Sequence, residues 1–149
     1  MAMSKVLVLY YSRTGNTEKM AKAVTEGAQT IQGTEVELTY HINPEALESF
    51  DAVVVGVPTY HHDMAVAIKN FFEEAAVKNI NLKGKVGAAF GSYGWSGEAP
   101  KLVLEIMKNK FETQIIEPPL LIKYAPDQNG LERCKAFGRQ IAERLMHSH

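Results

Sequence analysis

The chain has 149 residues, of which 46% are hydrophobic and 22% charged, a composition typical of one globular domain and unlike that of a disordered chain. Sixteen basic and seventeen acidic residues give a net charge of −1, so the basic excess of a nucleic-acid-binding protein is absent. No apolar run approaches the roughly 18–20 residues that cross a bilayer, and the lone cysteine, Cys134, excludes an internal disulfide or a cysteine-rich metal site. We therefore expect a cytoplasmic protein without membrane insertion.

The chain opens with a strand pattern followed by a helix pattern. Residues 6–11 form a nearly continuous apolar run, which is typical of a strand buried on both faces. A polar turn follows at residues 12–17. Behind it, apolar side chains recur at helical spacing through Gln32, and Gly33 is predicted to end this helix.

The rest of the chain repeats this alternation. Further strands are predicted over residues 36–40, 52–57, 86–90 and 115–122, and helical segments over residues 44–49, 65–75, 102–107 and 131–145. Pro118 and Pro119 interrupt the last strand, which favours a sheet edge or a bulge. Asp127 is predicted to cap the final helix, and Cys134 lies on the apolar stripe of that helix as a small core residue.

Regular alternation of strands and helices predicts the fold class. Such a chain forms parallel strands joined by right-handed crossovers. Five strands fit an open doubly wound α/β sheet in a single domain over residues 1–149, whereas a (βα)₈ barrel would need eight such units. Ligands of these sheets bind beyond the carboxyl ends of the strands.

The loop after the first strand has the composition of a phosphate site. It precedes a helix, whose first N–H groups favour an anion, and Gly15 allows a positive φ and a close backbone approach. The polar side chains around it are those of Ser12, Thr14, Asn16 and Thr17. The alternative is that Asn16 or Thr17 only caps the helix, but six consecutive non-apolar residues exceed what a cap needs. The Walker A and dinucleotide-binding patterns are absent.

The loops after the third and fourth strands carry large aromatic side chains, which favour a flat ligand. These loops contain Tyr60, His61, His62, Tyr93 and Trp95. The alternative is that two of the rings only pack against the sheet edge. No metal site is predicted, because the adjacent histidines point in different directions and no third ligand is evident.

Two motifs resemble those of the flavodoxins. Residues 12–17, Ser-Arg-Thr-Gly-Asn-Thr, resemble the flavodoxin phosphate loop, and residues 91–98, Gly-Ser-Tyr-Gly-Trp-Ser-Gly-Glu, resemble the third FMN loop of short-chain flavodoxins. The second motif is most similar to the flavodoxin domain of A-type flavoproteins. The resemblance implies a three-layer α/β/α fold with a five-stranded parallel sheet in the order 2-1-3-4-5.

The resemblance also implies FMN as the cofactor and assigns residues to it. The phosphate would be bound by Ser12, Arg13, Thr14, Gly15, Asn16 and Thr17. Tyr60 would cover the inner face of the isoalloxazine ring and Trp95 the outer face. In the second loop, Pro58 would belong to the binding site and Thr59 would bond the ribityl chain. His61, His62 and Asp63 would bring their backbone near the flavin N5. The third loop would supply backbone N–H groups to the pyrimidine edge from Ser92, Tyr93, Gly94 and Gly97.

Three functions remain open from the sequence. The favoured one is a monomeric electron carrier that moves electrons at low potential between a donor and an acceptor protein, with no catalytic residue of its own. An FMN-dependent NAD(P)H:quinone-type reductase would share the fold but usually has longer loops that build a substrate pocket. The third is a regulatory or binding module in which the flavin is only a structural ligand.

Overall fold

The computed structural model describes residues 3–12, 15–59, 66–94 and 97–147. The strands are β1 (Ser4–Tyr10), β2 (Thr34–Thr39), β3 (Ala52–Gly56), β4 (Val86–Tyr93), β5 (Gln114–Ile115) and β6 (Leu120–Lys123). The helices are α1 (Asn16–Gln29), α2 (Val66–Val77), α3 (Glu98–Phe111) and α4 (Gln128–His147), and a short 3₁₀ helix spans Pro44–Ser49.

All strand pairs are parallel, and the sheet order is β2-β1-β3-β4-β5, which confirms the predicted order. The predicted fifth strand is split in two around the prolines. β5 pairs with the beginning of β4, where Gly87 lies opposite Ile115, and β6 pairs with its end, where Ser92 lies opposite Ile122. The interruption therefore falls at the sheet edge, as the sequence predicts.

Helices cover both faces of the sheet, so alternate residues of a strand enter different hydrophobic clusters. Val6 and Val8 of β1 pack with α1 and α4, whereas Leu7 and Leu9 pack with α2, α3 and the 3₁₀ helix. This two-sided burial explains why β1 is a continuous apolar run rather than an alternating one.

The bounds of two elements differ from those predicted. β4 continues to Tyr93 instead of ending at Phe90, because β6 provides a hydrogen-bonding partner along residues 90–93. α1 ends at Gln29 rather than Gln32, and Gly33 at φ +87° instead forms the turn into β2.

The predicted start of α4 is confirmed, because the Gly130 N–H donates to Asp127 Oδ1 at 2.7 Å. Cys134 is fully buried on the inner face of this helix, and burial raises the pKa of its thiol to about 12. It is a core residue, as predicted. No helix in the described ranges is long and apolar enough to cross a membrane.

Candidate cofactor site at the carboxyl edge of the sheet

Three loops leave the carboxyl ends of β1, β3 and β4, which are adjacent in the sheet. Because the strands are parallel, these loops lie at one edge, where doubly wound sheets bind ligands. The described residues of the site are Ser12, Gly15, Asn16, Thr17, Pro58, Thr59, Ser92, Tyr93, Gly94 and Gly97. Arg13, Thr14, Tyr60, His61, His62, Asp63 and Trp95 lie outside the described residues, so their assignments stay predictions.

The first loop has the geometry of an anion cradle. Gly15 is the N-cap residue of α1 at φ +92°, a left-handed conformation that favours glycine. Ser12 Oγ accepts hydrogen bonds from the N–H groups of Gly15 at 3.0 Å and Glu18 at 3.3 Å, which leaves its own hydrogen for another acceptor. The N–H groups of Asn16 and Thr17 have no acceptor within the helix, because they belong to its first turn.

The two alternatives for this loop can now be compared. The alternative that Asn16 or Thr17 is the cap is wrong, because both residues are already helical and Ser12 provides the capping oxygen. A β-carbon built on Gly15 meets no atom of the described residues within 4 Å. The described part of the loop therefore has the N–H donors that a phosphate site requires, and the phosphate assignment stays a prediction.

Thr17, whose predicted role as a hydroxyl donor to the phosphate stays a prediction, also forms hydrogen bonds within the protein. Its side chain is buried, and its Oγ1 lies 3.1 Å from Ser92 Oγ on β4. The Ser92 N–H also donates to Thr17 Oγ1, at 3.4 Å. The Thr17 hydroxyl thus joins the start of α1 to the end of β4, and the Ser92 N–H expected to face the flavin already has an acceptor.

The second loop is hydrogen-bonded to the third. Pro58 is buried two residues after the end of β3, and the Thr59 N–H donates to the carbonyl oxygen of Ser92 at 3.3 Å. Thr59 Oγ1 accepts from the Ala99 N–H at 2.9 Å, in the first turn of α3. Among the described residues, Thr59 Oγ1 acts as an acceptor, and the ribityl contact that the resemblance implies stays a prediction.

The third loop begins inside the sheet. Tyr93 is half-buried as the last residue of β4, and its carbonyl oxygen accepts from the Tyr124 N–H at 2.6 Å. Gly94 is exposed, whereas a β-carbon on Gly97 would overlap the Leu121 side chain. The loop therefore leaves the sheet after Tyr93 and returns to it closely at Gly97.

One acidic residue stands beside the anion cradle. Glu18 lies in the first turn of α1, where its carboxylate contacts the Tyr10 hydroxyl at 3.4 Å and Lys22 Nζ at 3.6 Å. Partial burial and the Glu18 charge raise the pKa of Tyr10, so Tyr10 stays a neutral donor to this carboxylate. These two partners lower the repulsion that Glu18 would exert on a bound anion.

The links of Thr17 and Thr59 to Ser92 were missed by the sequence analysis. Thr17 and Ser92 are 75 positions apart, and both occur in motifs whose polar residues were assigned to the ligand. Only the order of the strands brings them together. The sequence contained one weak signal for this link: Ser92 places a hydroxyl near the end of a buried strand of small residues.

Comparisons with known proteins agree with this geometry. The family model described as Flavodoxin matches residues 8–138. The type A flavoprotein fprA of Rhodobacter capsulatus is 37% identical over 147 residues, which cover 94% of this chain and 33% of that protein. The chain thus spans about a third of the length of the first curated relatives that it matches.

Two further relatives are matched over most of their own length. A flavodoxin of Aquifex aeolicus is 31% identical, over 95% of this chain and 86% of its own. The structure of a flavodoxin from the domain Archaea superposes with a TM-score of 0.88 at 36% identity, covering 96% of this chain and 99% of the other. These matches confirm the predicted family and fold, and they support the predicted FMN-binding, electron-transfer function.

Proposed function

The chain belongs to the flavodoxin family, and we propose that it carries electrons between two redox proteins on one bound FMN. When bound, FMN supplies the electron-accepting ring, and the protein binds, orients and covers it. The observation that carries the proposal is the start of α1, where Gly15 is the N-cap residue in the left-handed region and the first-turn N–H groups of Asn16 and Thr17 have no acceptor within the helix.

At the phosphate end, the protein provides donors and the positive end of a helix. The N–H groups of Asn16 and Thr17 and the hydroxyl of Ser12 are the described donors. Arg13 and Thr14 belong to the same motif and would add a charge and a hydroxyl. A terminal phosphate suits this site, since the dinucleotide-binding pattern is absent from the sequence.

At the ring end, the second and third loops would enclose the isoalloxazine. Tyr60 and Trp95 would cover its two faces, and the backbone of His61, His62 and Asp63 would lie near the flavin N5. Gly94 and Gly97 would provide N–H groups to the pyrimidine edge after β4 ends at Tyr93. The aromatic covers would exclude water from the ring while leaving one edge for electron exchange with a partner protein.

A carrier is favoured over a reductase because two of the three connections at the site are short. Only the residues between Tyr10 and Asn16, and between Tyr93 and Glu98, separate β1 from α1 and β4 from α3. Loops of this length cover a flavin but do not build a separate pocket for an organic substrate.

The experiment is a turnover assay with the purified, FMN-loaded protein. NADH or NADPH oxidation is measured with a quinone as acceptor and without any added reductase, against free FMN at the same concentration. The expected rate equals that of free FMN. Adding an NADPH-dependent flavoprotein reductase and a one-electron acceptor protein should start electron flow that depends on this chain. Turnover well above free FMN without the reductase would assign the chain to the quinone reductases instead.

A further inference from the structure

Ser92 connects two loops of the site. It is the penultimate residue of β4, and 7% of its surface is exposed. On one side its N–H and Oγ both contact Thr17 Oγ1, at 3.4 and 3.1 Å. On the other side its carbonyl oxygen accepts from the Thr59 N–H at 3.3 Å. One small side chain and its peptide groups therefore join the start of α1 to the second loop.

The chain of hydrogen bonds continues to the third loop. Thr59 Oγ1 accepts from the N–H of Ala99, which lies in the first turn of α3, directly after that loop ends. The hydrogen bonds thus connect all three loops of the site through four residues in turn: Thr17, Ser92, Thr59 and Ala99. These three links comprise four hydrogen bonds, and both of the bonds between Thr17 and Ser92 depend on the Thr17 hydroxyl.

We propose that Ser92 and Thr17 are positioning residues that hold the phosphate cradle at a fixed distance from the ring-binding loops. The proposal rests on the function proposed above, since FMN must contact both ends of the site at once. When the two ends are held in register, a larger fraction of the protein is competent to bind FMN. The apparent Kd is the intrinsic Kd divided by this fraction, so it falls as the fraction rises. Riboflavin has the ring without the phosphate, so it needs only the ring-binding loops.

A matched control lies on the same helix. Thr25 is a buried threonine of α1, and its Oγ1 has no hydrogen-bond partner among the described residues. Thr25→Val and Thr17→Val make the same chemical change in the same helix, but only Thr17→Val removes a link to β4. Thr17→Ser keeps the hydroxyl and tests whether the link, rather than the threonine methyl group, is required.

The test compares FMN and riboflavin binding to the apoprotein of each variant. Ser92→Ala, which removes one hydrogen bond, should raise the Kd for FMN by about 3- to 10-fold. Thr17→Val, which removes two, should raise it by at least as much, and both variants should raise the Kd for riboflavin by less than twofold. Thr17→Ser and Thr25→Val should stay within twofold of the wild type for both ligands. The double variant should bind FMN no more weakly than Thr17→Val, because Ser92 Oγ acts through Thr17.

Three results would overturn the proposal. In the first, Thr17→Val weakens FMN binding while Ser92→Ala does not, so that Thr17 contacts the phosphate without Ser92. In the second, the losses of the single variants add up in the double variant. In the third, both variants lower the melting temperature but leave FMN affinity unchanged, so that the pair is only structural.

A second measurement needs no ligand and separates this proposal from the function. Amide hydrogen exchange in the apoprotein should be faster at Ser92 in Thr17→Val than in the wild type, and unchanged in Thr25→Val. Unchanged exchange at Ser92 in Thr17→Val would refute the link even if FMN binds. If the wild type binds no FMN, the proposed function fails, whereas the exchange data still decide whether Thr17 holds the end of β4.

Discussion

The contact between α1 and α4 and the carboxyl edge of the sheet are held together in different ways. In the layer formed by α1 and α4, which we call the helix layer, backbone packs directly on backbone. A β-carbon on Gly138 would overlap the Val24 carbonyl oxygen, and a β-carbon on Gly27 would overlap the Lys135 carbonyl oxygen. At the carboxyl edge, a few hydrogen bonds join the loops, and a β-carbon on Gly15 meets no atom of the described residues within 4 Å. We therefore expect substitutions between α1 and α4 to change mainly folding stability, and substitutions at the carboxyl edge to change mainly cofactor affinity.

The largest expected effect is on stability, in the helix layer. Gly138→Val should lower the free energy of unfolding by about 3 kcal/mol or more, because α4 has to move away from α1 to admit the side chain. Denaturant unfolding measures this loss. The variant molecules that remain folded should bind FMN with the wild-type Kd. Gly84→Ala is the control, since Gly84 has positive φ but open space around it, and should cost about 1 kcal/mol. Equal losses in the two variants would contradict the tight contact.

The next largest effect is on the affinity for FMN, at the carboxyl edge of the sheet. Gly33 provides a matched control for a substitution of Gly15. Both glycines have φ near +90°, and a β-carbon on either meets nothing within 4 Å. Gly15→Ala and Gly33→Ala should each cost about 1 kcal/mol of stability. Only Gly15→Ala should raise the Kd for FMN, by about tenfold or more, because it shifts donors of the phosphate cradle. Isothermal titration of both apoproteins would show the difference, and equal Kd values would remove the cradle from the first loop.

The smallest expected effect is that of FMN binding on the rate at which the Cys134 thiol is labelled. Its thiol is buried against the sheet on α4, and its pKa is raised to about 12, so about one thiol in 10⁴ is ionised at pH 8. Maleimide labelling should therefore need unfolding of the helix layer. Saturating FMN, which binds only the folded protein, should slow labelling further. Rapid labelling that FMN does not change would mean that α4 opens without disturbing the site.

Local patterns in the sequence predicted most of the fold. The apolar run at residues 6–11 predicted a sheet buried on both faces, because such a strand is apolar throughout. The stripe through Cys134 predicted a covering helix, because burial on one face repeats with the helical period. The end of α1 was misplaced because Ile31 continues the apolar spacing, although Gly33 already lies in the turn into β2.

The site was only partly predictable, for a different reason. The positive φ that the sequence allowed at Gly15 depends only on local geometry and is observed, whereas the phosphate contacts of Gly15 and Ser12 stay predictions. The end of β4 at Tyr93 and the pairing of Thr17 with Ser92 depend on partners far along the chain, so no local pattern contains them. The sequence therefore predicted ligand contacts for these polar residues, which stay predictions, but not the hydrogen bonds by which they join two loops.

The central claim is that FMN binds with its phosphate on the first loop and its ring between the other two. The most direct test titrates the apoprotein with FMN and, separately, with riboflavin, following the fluorescence of Trp95, the only tryptophan. Both flavins should quench it strongly at one equivalent. FMN should bind at least about tenfold more tightly, since even one charge-assisted hydrogen bond to its phosphate contributes that much. Equal affinities for the two flavins, or unchanged emission on adding FMN, would contradict the account.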